Sequence, residues 1–153
     1  MLIRNAKISD VKSICALISY YAELDRMLFR SMADLYQDIQ TFLVVEDDFG
    51  KVVGCCSLQV VWSDLAEIKS LAVDYNYKNQ GFGKLLVQKA ISNAAELQIP
   101  RVFALTLVPD FFRKLGFQTV STDTLPMKVW SDCANCPKQQ NCDEIAMIKL
   151  VGN

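Results

Sequence analysis

Two glycines one residue apart, Gly81 and Gly83, stand between a β-rich segment and an apolar stretch with helical spacing. The segment before them, Leu65–Val73, reads LAEIKSLAV, and the stretch after them reads KLLVQKA. Where a strand passes through a glycine loop into a helix, the first backbone N–H groups of the helix have no internal acceptor. Together with the helix dipole, they attract an anion. The pattern therefore predicts a strand–loop–helix unit that holds an anionic group.

Two better-known phosphate-binding motifs do not fit this loop. A P-loop requires a glycine and a Ser or Thr where this chain has Lys78 and Leu85. A dinucleotide-binding fingerprint requires a third glycine where this chain has Leu86. Two interpretations remain, a cradle for a pyrophosphate and a glycine turn that merely starts a helix.

The rest of the chain predicts an α/β fold. Strands are predicted at residues 2–6, 41–46, 51–61, 65–73, 101–107, 117–120 and 145–151. Helices are predicted after the N-caps Ser9 and Ser31, over 80–97, and over 109–115 before a C-cap at Gly116. Hairpin strands followed by alternating strands and helices indicate a single domain over 1–153, with a mixed, mostly antiparallel sheet flanked by helices. Residues 121–144 form its least regular segment.

Composition excludes several classes of function. The chain has 153 residues, a net charge of −1 and no histidine. Without histidine, Ser-His-Asp and Cys-His catalysis and imidazole-ligated zinc are excluded. Without a basic face, nucleic acid is not an expected partner. No apolar run approaches a membrane span or a secretory signal, so we expect a cytoplasmic protein with reduced thiols.

Two motifs carry a resemblance to a known family. The run EIKSLAVDYNYKNQGFGKLLV resembles the acetyl-coenzyme A motif of the GNAT superfamily of N-acetyltransferases, and FFRKLGF downstream resembles that superfamily's second landmark. The resemblance spans nearly the whole chain and implies acetyl-CoA as cosubstrate, with no metal. It places the pantetheine arm along Leu71, Ala72 and Val73, and it places the pyrophosphate on the backbone amides of the loop from Asn79 to Lys84. The implied cofactor-binding residues are Leu71, Ala72, Val73, Lys78, Asn79, Gln80, Gly81, Phe82, Gly83, Lys84 and Phe112.

The same resemblance implies direct acetyl transfer with Glu67 as general base, acting on the amine itself or through water. The alternative for Glu67 is a solvated or salt-bridged carboxylate on a strand face. Many relatives carry a tyrosine as general acid where this chain has Phe112, which cannot donate a proton. Tyr75 and Tyr77 are alternative candidates for the general acid, but packing within the loop explains both of them better. We therefore assign no general acid. The superfamily usually has Gln or Arg where Lys78 stands.

A narrower resemblance concerns the acceptor. The phrases FRSMADLYQDI and LPMKVWSDCANCPKQQNCDEIAM resemble short bacterial amino-acid N-acetyltransferases of the N-acetylglutamate synthase type. This implies L-glutamate as acceptor, N-acetyl-L-glutamate as product and a place in arginine biosynthesis. The two carboxylates of glutamate favour cationic partners, for which the candidates are Arg30, Lys69 and Lys128. Each of the three could instead be a solvated surface charge.

Other interpretations of the function remain open. The acceptor could be another small amine or a protein N-terminus, and the chain could be a non-catalytic coenzyme A sensor. The superfamily analogy allows a homodimer. In the tail, Cys133, Cys136 and Cys142 include a C-x-x-C spacing found in metal and redox sites. We favour packing thiols or a disulfide over a metal there, since Asp132, Asp143, Cys55 or Cys56 could complete a metal site only if the fold brought one of them near.

Overall fold

The computed structural model describes residues 1–125 and 144–152. The strands are β1 (Leu2–Asn5), β2 (Phe42–Glu46), β3 (Val52–Trp62), β4 (Leu65–Val73), β5 (Arg101–Thr106), β6 (Gln118–Thr119) and β7 (Ile145–Leu150). The helices are α1 (Val11–Glu23), α2 (Met32–Gln37), α3 (Phe82–Glu96) and α4 (Pro109–Lys114). Short 3₁₀ turns lie at Ile8–Asp10, Ile39–Thr41, Tyr75–Tyr77 and Thr122–Thr124. The predicted elements are all present, with bounds that differ by about two residues at most.

The described strands form a seven-stranded sheet in the order β1-β2-β3-β4-β5-β7-β6. The pairs β1–β2, β2–β3, β5–β7 and β6–β7 are antiparallel, and β4–β5 is parallel. The prediction of an α/β fold with a mixed, mostly antiparallel sheet is thereby confirmed.

The described chain divides into two compact units. The first comprises Met1–Leu58 and Ile68–Ser92, and the second comprises Gln59–Glu67 with the described residues from Asn93 onward. In the first unit, α1 buries one face of side chains at helical spacing against α2, β2, β3 and β4. The buried members of this core are Val11, Ile14, Leu17, Ile18, Leu35, Ile39, Phe42, Val44, Cys55 and Ala72. The second unit has its own core of Val61, Leu65, Phe103, Leu125 and Ala146.

The start of α1 differs from the prediction. Ser9 does not cap a helix but lies inside the 3₁₀ turn that leads into α1. The Asp10 carboxylate accepts the Lys7 N–H at 2.7 Å at the start of this turn, and Asp10 is the residue that precedes α1. It also forms an ion pair with Arg4 at 2.7 Å, and Arg4 reaches Glu46 at 3.2 Å. The Asp10 side chain, 8% exposed, is thus bonded to both a cation and a backbone N–H, whereas Ser9 is exposed.

The Asp10 ion pair makes stability depend on pH. The Arg4 guanidinium holds the pKa of Asp10 below its usual value, so the pair stabilises the fold above about pH 4 and the contribution is lost as the pH falls further. We expect Asp10→Asn to lower the free energy of unfolding by about 2–3 kcal/mol at pH 7, with a smaller difference near pH 3. Urea unfolding at both values measures this, with the exposed Glu96→Gln as control. An equal loss at pH 7 and pH 3 would contradict the assignment.

Candidate active site

Strand β4 changes conformation at Ser70. Its parallel ladder pairs Leu65–Glu67 with Arg101–Phe103. Three residues past the end of the ladder, Ser70 has φ +56°, a left-handed conformation that is rare for a residue other than glycine and marks functional sites. The pairing between β4 and β5 covers Leu65–Glu67 and not the following stretch, Leu71–Val73, and an unpaired strand edge can bind an extended ligand. This is the stretch along which the superfamily resemblance predicts the pantetheine arm.

The end of β4 is held in place by two hydrogen bonds. The Tyr21 hydroxyl on α1 donates to the Val73 carbonyl, and the Asp74 N–H donates to the Val53 carbonyl at 2.8 Å. Burial raises the pKa of Tyr21, which keeps its hydroxyl protonated and able to donate. The Val73 carbonyl therefore has a partner within the chain, while Leu71 is half-buried and Ala72 faces the core.

The loop between β4 and α3 has the geometry of an anion cradle. Asn79 and Gly81 have φ values of +63° and +87°, so the chain turns sharply just before α3 begins at Phe82. The first hydrogen bond into the helix runs from the Leu85 N–H to the Gly81 carbonyl at 3.1 Å. The N–H groups of residues 82–84 precede that bond, and they point out of the helix end with the dipole behind them. This arrangement fits a pyrophosphate, which needs several convergent donors and a positive end.

The side chain of Lys78 does not lie over this helix end. Its ammonium lies 4.0 Å from the centre of the Tyr75 ring, and the interaction lowers the pKa of Tyr75. Both residues are exposed. Lys78 thus stands at the edge of the loop, where its charge adds to the attraction for an anion.

Arg30 lies in the segment that leads into α2. It precedes the helix rather than starting it: Ser31 is the N-cap, as predicted, and accepts the Asp34 N–H at 3.1 Å. The Arg30 side chain is only 12% exposed. Its guanidinium forms an ion pair with Asp38, donates to the Ser70 hydroxyl at 3.2 Å, and lies 5.5 Å from the centre of the Phe42 ring. We call Asp38, Phe42 and Ser70 the Arg30 clamp.

Sequence reasoning missed Asp38 and Ser70. Asp38 comes eight residues after Arg30, beyond a helix whose end has no strong signal. Ser70 sits in the run LAEIKSLAV, which reads as an uninterrupted strand, so its left-handed conformation has no local signal. Arg30, which contacts both, is predicted as a candidate from its charge and from its place near the start of the second helix.

Glu67 is a buried carboxylate on β4, 7% exposed and opposite Phe103 in the ladder. Lys69, two residues further along the same strand, is half-buried. The side chains of β4 alternate regularly between the two faces of the sheet up to Lys69, because the backbone irregularity comes only at Ser70, where φ is positive. Burial of a carboxylate in a sheet strand is costly, and such groups are frequent in catalytic sites.

Phe112 belongs to an aromatic cluster in the second unit. Its ring meets those of Phe111 and Phe117 edge to face, each with centroids 5.1 Å apart, and the residue is 4% exposed. The C-cap of α4 is Leu115 rather than the predicted Gly116, which follows it with φ +94°, the left-handed conformation that commonly terminates a helix. Without a hydroxyl, Phe112 contributes an apolar surface and no proton.

Two adjacent cysteines on β3, Cys55 and Cys56, lie near the point where β4 changes conformation at Ser70, but they are not nucleophiles. Cys55 is fully buried, and its thiol donates to the Ser70 carbonyl at a sulfur–oxygen distance of 3.4 Å. Burial raises the pKa of Cys55 to about 12, and it raises that of the adjacent Cys56 as well. Since the thiolate is the nucleophilic form, neither side chain can carry an acetyl group at neutral pH.

We expect Cys55 and Cys56 to resist alkylation in the folded protein. With a pKa of about 12, only about one Cys55 thiol in ten thousand is ionised at pH 8. Iodoacetamide treatment followed by peptide mass spectrometry measures this, with the urea-unfolded protein as the reference for full labelling. Labelling of either residue in the folded state at the rate of a free thiol would contradict the assignment.

Some predicted residues cannot be placed. Lys128, Cys133, Cys136 and Cys142 lie outside the described residues. Within residues 1–125 and 144–152, no cluster of three metal-ligating side chains occurs. In the same part of the chain, no helix is long and apolar enough to cross a membrane.

The fold and the loop can be compared with known proteins. A family model described as Acetyltransferase (GNAT) family matches residues 9–117. The match covers both the β4–α3 cradle and α4, and with the fold it defines the class of protein as an acetyl-CoA-dependent N-acetyltransferase. This chain belongs to the GNAT family.

Three known proteins are similar to this chain over most of its length. An uncharacterized N-acetyltransferase of Chlorobaculum tepidum is 42% identical over 149 residues, 97% of this chain and 96% of that protein. An amino-acid acetyltransferase of Mycobacterium tuberculosis is 38% identical over 133 residues, 86% of this chain and 76% of that protein. The solved N-acetylglutamate synthase of Neisseria gonorrhoeae, complexed with coenzyme A and N-acetyl-glutamate, has a TM-score of 0.90 and 30% identity. That match covers 99% of this chain and 35% of the synthase. The resemblance to short amino-acid N-acetyltransferases and the use of acetyl-CoA are confirmed.

Proposed function

We propose that this enzyme transfers the acetyl group of acetyl-CoA to the α-amine of L-glutamate, giving N-acetyl-L-glutamate for arginine biosynthesis. The observation that carries the proposal is Arg30, a largely buried guanidinium held by a carboxylate, a hydroxyl and an aromatic ring. The similarity to a synthase solved with N-acetyl-glutamate supports the choice of acceptor.

The chemistry of Arg30 suits a carboxylate acceptor. A guanidinium has five N–H donors, and the bonds to Asp38 and Ser70 use two of them within the described residues. Three N–H groups therefore remain for hydrogen bonds to one carboxylate of the substrate. Because the side chain is 12% exposed, such bonds form in a less polar environment than water and are correspondingly stronger. Lys69 and Lys128 are the further candidates for the second carboxylate.

The residues of β4 and the loop have separate roles in this proposal. Acetyl-CoA, when bound, supplies a thioester-activated acetyl group and a thiolate leaving group. Leu71, Ala72 and Val73 align the pantetheine arm along β4. The amides and side chains of residues 78–84 bind the pyrophosphate, and Phe112 offers an apolar surface to the cofactor.

Glu67 is the proposed general base. An amino acid carries its amine as an ammonium at neutral pH, so a proton must leave before the nitrogen can attack. The Glu67 carboxylate, 7% exposed on β4, can accept that proton directly or through a water molecule. No residue is assigned as general acid, since a thiol with an ordinary pKa near 8.5 leaves as the thiolate at little cost. The protonated, buried Cys55 and Cys56 favour direct transfer over an acetyl-enzyme.

The test is product formation from acetyl-CoA with each of the twenty amino acids, measured by mass spectrometry. Glutamate should be acetylated well above all others. Preference for a different amine, including a peptide N-terminus, would keep the family and the cofactor but overturn the acceptor. Binding of coenzyme A without any turnover would instead favour a sensor, in line with the missing tyrosine at position 112.

A further inference from the structure

The Arg30 clamp contains a carboxylate whose backbone is unusually well fixed. The Asp38 N–H donates to the Asp34 carbonyl at 3.0 Å, which closes the last turn of α2. The Asp38 carbonyl accepts both the N–H of Thr41 at 2.9 Å and its hydroxyl at 2.7 Å. The Thr41 hydroxyl is in turn 2.8 Å from the hydroxyl of Ser57, a buried residue on β3. The position from which the Asp38 side chain reaches out is therefore rigid.

Arg30, by contrast, has a backbone outside any helix or strand. A long arginine side chain carries about 2 kcal/mol of rotamer entropy, so its guanidinium has no fixed direction unless other groups impose one. Three contacts do so here: Asp38 on one edge, the Ser70 hydroxyl at 3.2 Å and the Phe42 ring 5.5 Å away. Of these three groups, only the Asp38 carboxylate carries a charge, and the hydrogen bonds described above hold its backbone rigid.

We propose that Asp38 is a positioning residue for acceptor recognition, which orients the Arg30 guanidinium so that its remaining N–H edge receives the substrate carboxylate. The inference rests on the proposed function, because it takes Arg30 as the carboxylate-binding group. Ser70 supports it by bonding Arg30 to β4, the strand that also carries Glu67 and the stretch proposed to align the cofactor.

Two effects of Asp38 on an acidic substrate oppose each other. Its negative charge repels the incoming carboxylate, whereas its hydrogen bond holds the guanidinium in a fixed plane. A bidentate guanidinium–carboxylate bond depends strongly on that plane, while a carboxylate 39% open to solvent is partly screened. We therefore expect orientation to dominate, and removal of Asp38 to weaken glutamate binding rather than to improve it.

The experiment compares steady-state kinetics of the full chain with those of three variants. Asp38→Ala removes both charge and hydrogen bond, and Asp38→Asn removes the charge but keeps an oxygen acceptor. Asp34→Asn is the matched control, since Asp34 lies on α2, the helix that ends just before Asp38, is exposed, and makes no side-chain contact with Arg30 among the described residues. Circular dichroism and calorimetric titration with coenzyme A show that each variant is folded and binds the cofactor.

We expect Asp38→Ala to raise KM for glutamate about 10- to 30-fold and Asp38→Asn about 3- to 10-fold. Because the pair acts on acceptor binding, kcat and KM for acetyl-CoA should change by less than about threefold, and Asp34→Asn should match the unaltered protein. A merely structural ion pair would instead change kcat, cofactor binding and stability together. If Asp38→Ala does not fold, Asp38→Asn decides alone.

The outcomes separate this inference from the proposed function. Unchanged or lower KM for glutamate in Asp38→Asn would overturn the positioning role while leaving glutamate as the acceptor. Parallel losses in kcat and in coenzyme A binding would overturn it as well. Absence of glutamate turnover by the unaltered protein would overturn the proposed function, and the inference with it.

Discussion

Replacement of Glu67 by Gln should lower kcat about 100- to 1,000-fold, the usual contribution of a general base. The amide keeps the size and hydrogen-bonding shape of the buried side chain on β4 but cannot accept a proton. Binding of acetyl-CoA should stay within about twofold, because the proposed cofactor contacts lie further along β4 and in the following loop. Steady-state kinetics and calorimetric titration with coenzyme A measure the two quantities.

The pH dependence of this variant provides an internal control. Without a base, turnover depends on the fraction of glutamate whose amine is already deprotonated, so the rate should rise steadily with pH toward the pKa of that amine. Glu96→Gln, a substitution at an exposed position near the end of α3, should leave kcat unchanged. If Glu67→Gln retains full kcat at neutral pH, Glu67 is not the base.

Replacement of Arg30 by Gln should raise KM for glutamate about 10- to 100-fold, as expected for the loss of charge-assisted hydrogen bonds. The effect on kcat should be smaller, because the thioester and the proposed base are untouched. Arg30→Lys should lie in between, since an ammonium keeps the charge but not the planar pair of donors. Kinetics at saturating acetyl-CoA with varied glutamate measure these effects.

The control for the arginine variants is Arg113→Gln, because Arg113 forms an exposed ion pair with Asp110 on α4. It removes the same charge from the surface and should leave KM for glutamate unchanged. Equal effects of the two substitutions would mean that Arg30 acts only through net charge. If Arg30→Gln leaves KM for glutamate unchanged, Arg30 does not bind the substrate carboxylate, and Lys69 and Lys128 remain as the candidates.

The sequence by itself determined the order of elements and the cofactor loop, because the signals for both are local. Ser31 caps its helix, Gly116 follows the C-cap of α4 with a positive φ, and Gly81 adopts the positive φ that the loop requires. Each depends on the conformational preferences of one residue and its near neighbours. The same local reasoning failed at Ser9, because the Asp10 carboxylate is held by Arg4 on β1, and Arg4 in turn pairs with Glu46 on β2, contacts that no local pattern reveals.

Only the tertiary structure decided which groups surround Arg30 and the β4 irregularity. Asp38, Phe42 and Ser70 lie 8, 12 and 40 residues from Arg30 along the chain, and Cys55 lies 15 residues from the carbonyl it bonds. Ser70 reads as an ordinary strand residue, but in the folded chain it has a left-handed conformation, and Arg30 and Cys55 bind its hydroxyl and its carbonyl. Such contacts arise from the packing of α2, β3 and β4 together. The sequence could therefore predict a cationic acceptor group, but the packed chain alone shows what orients it.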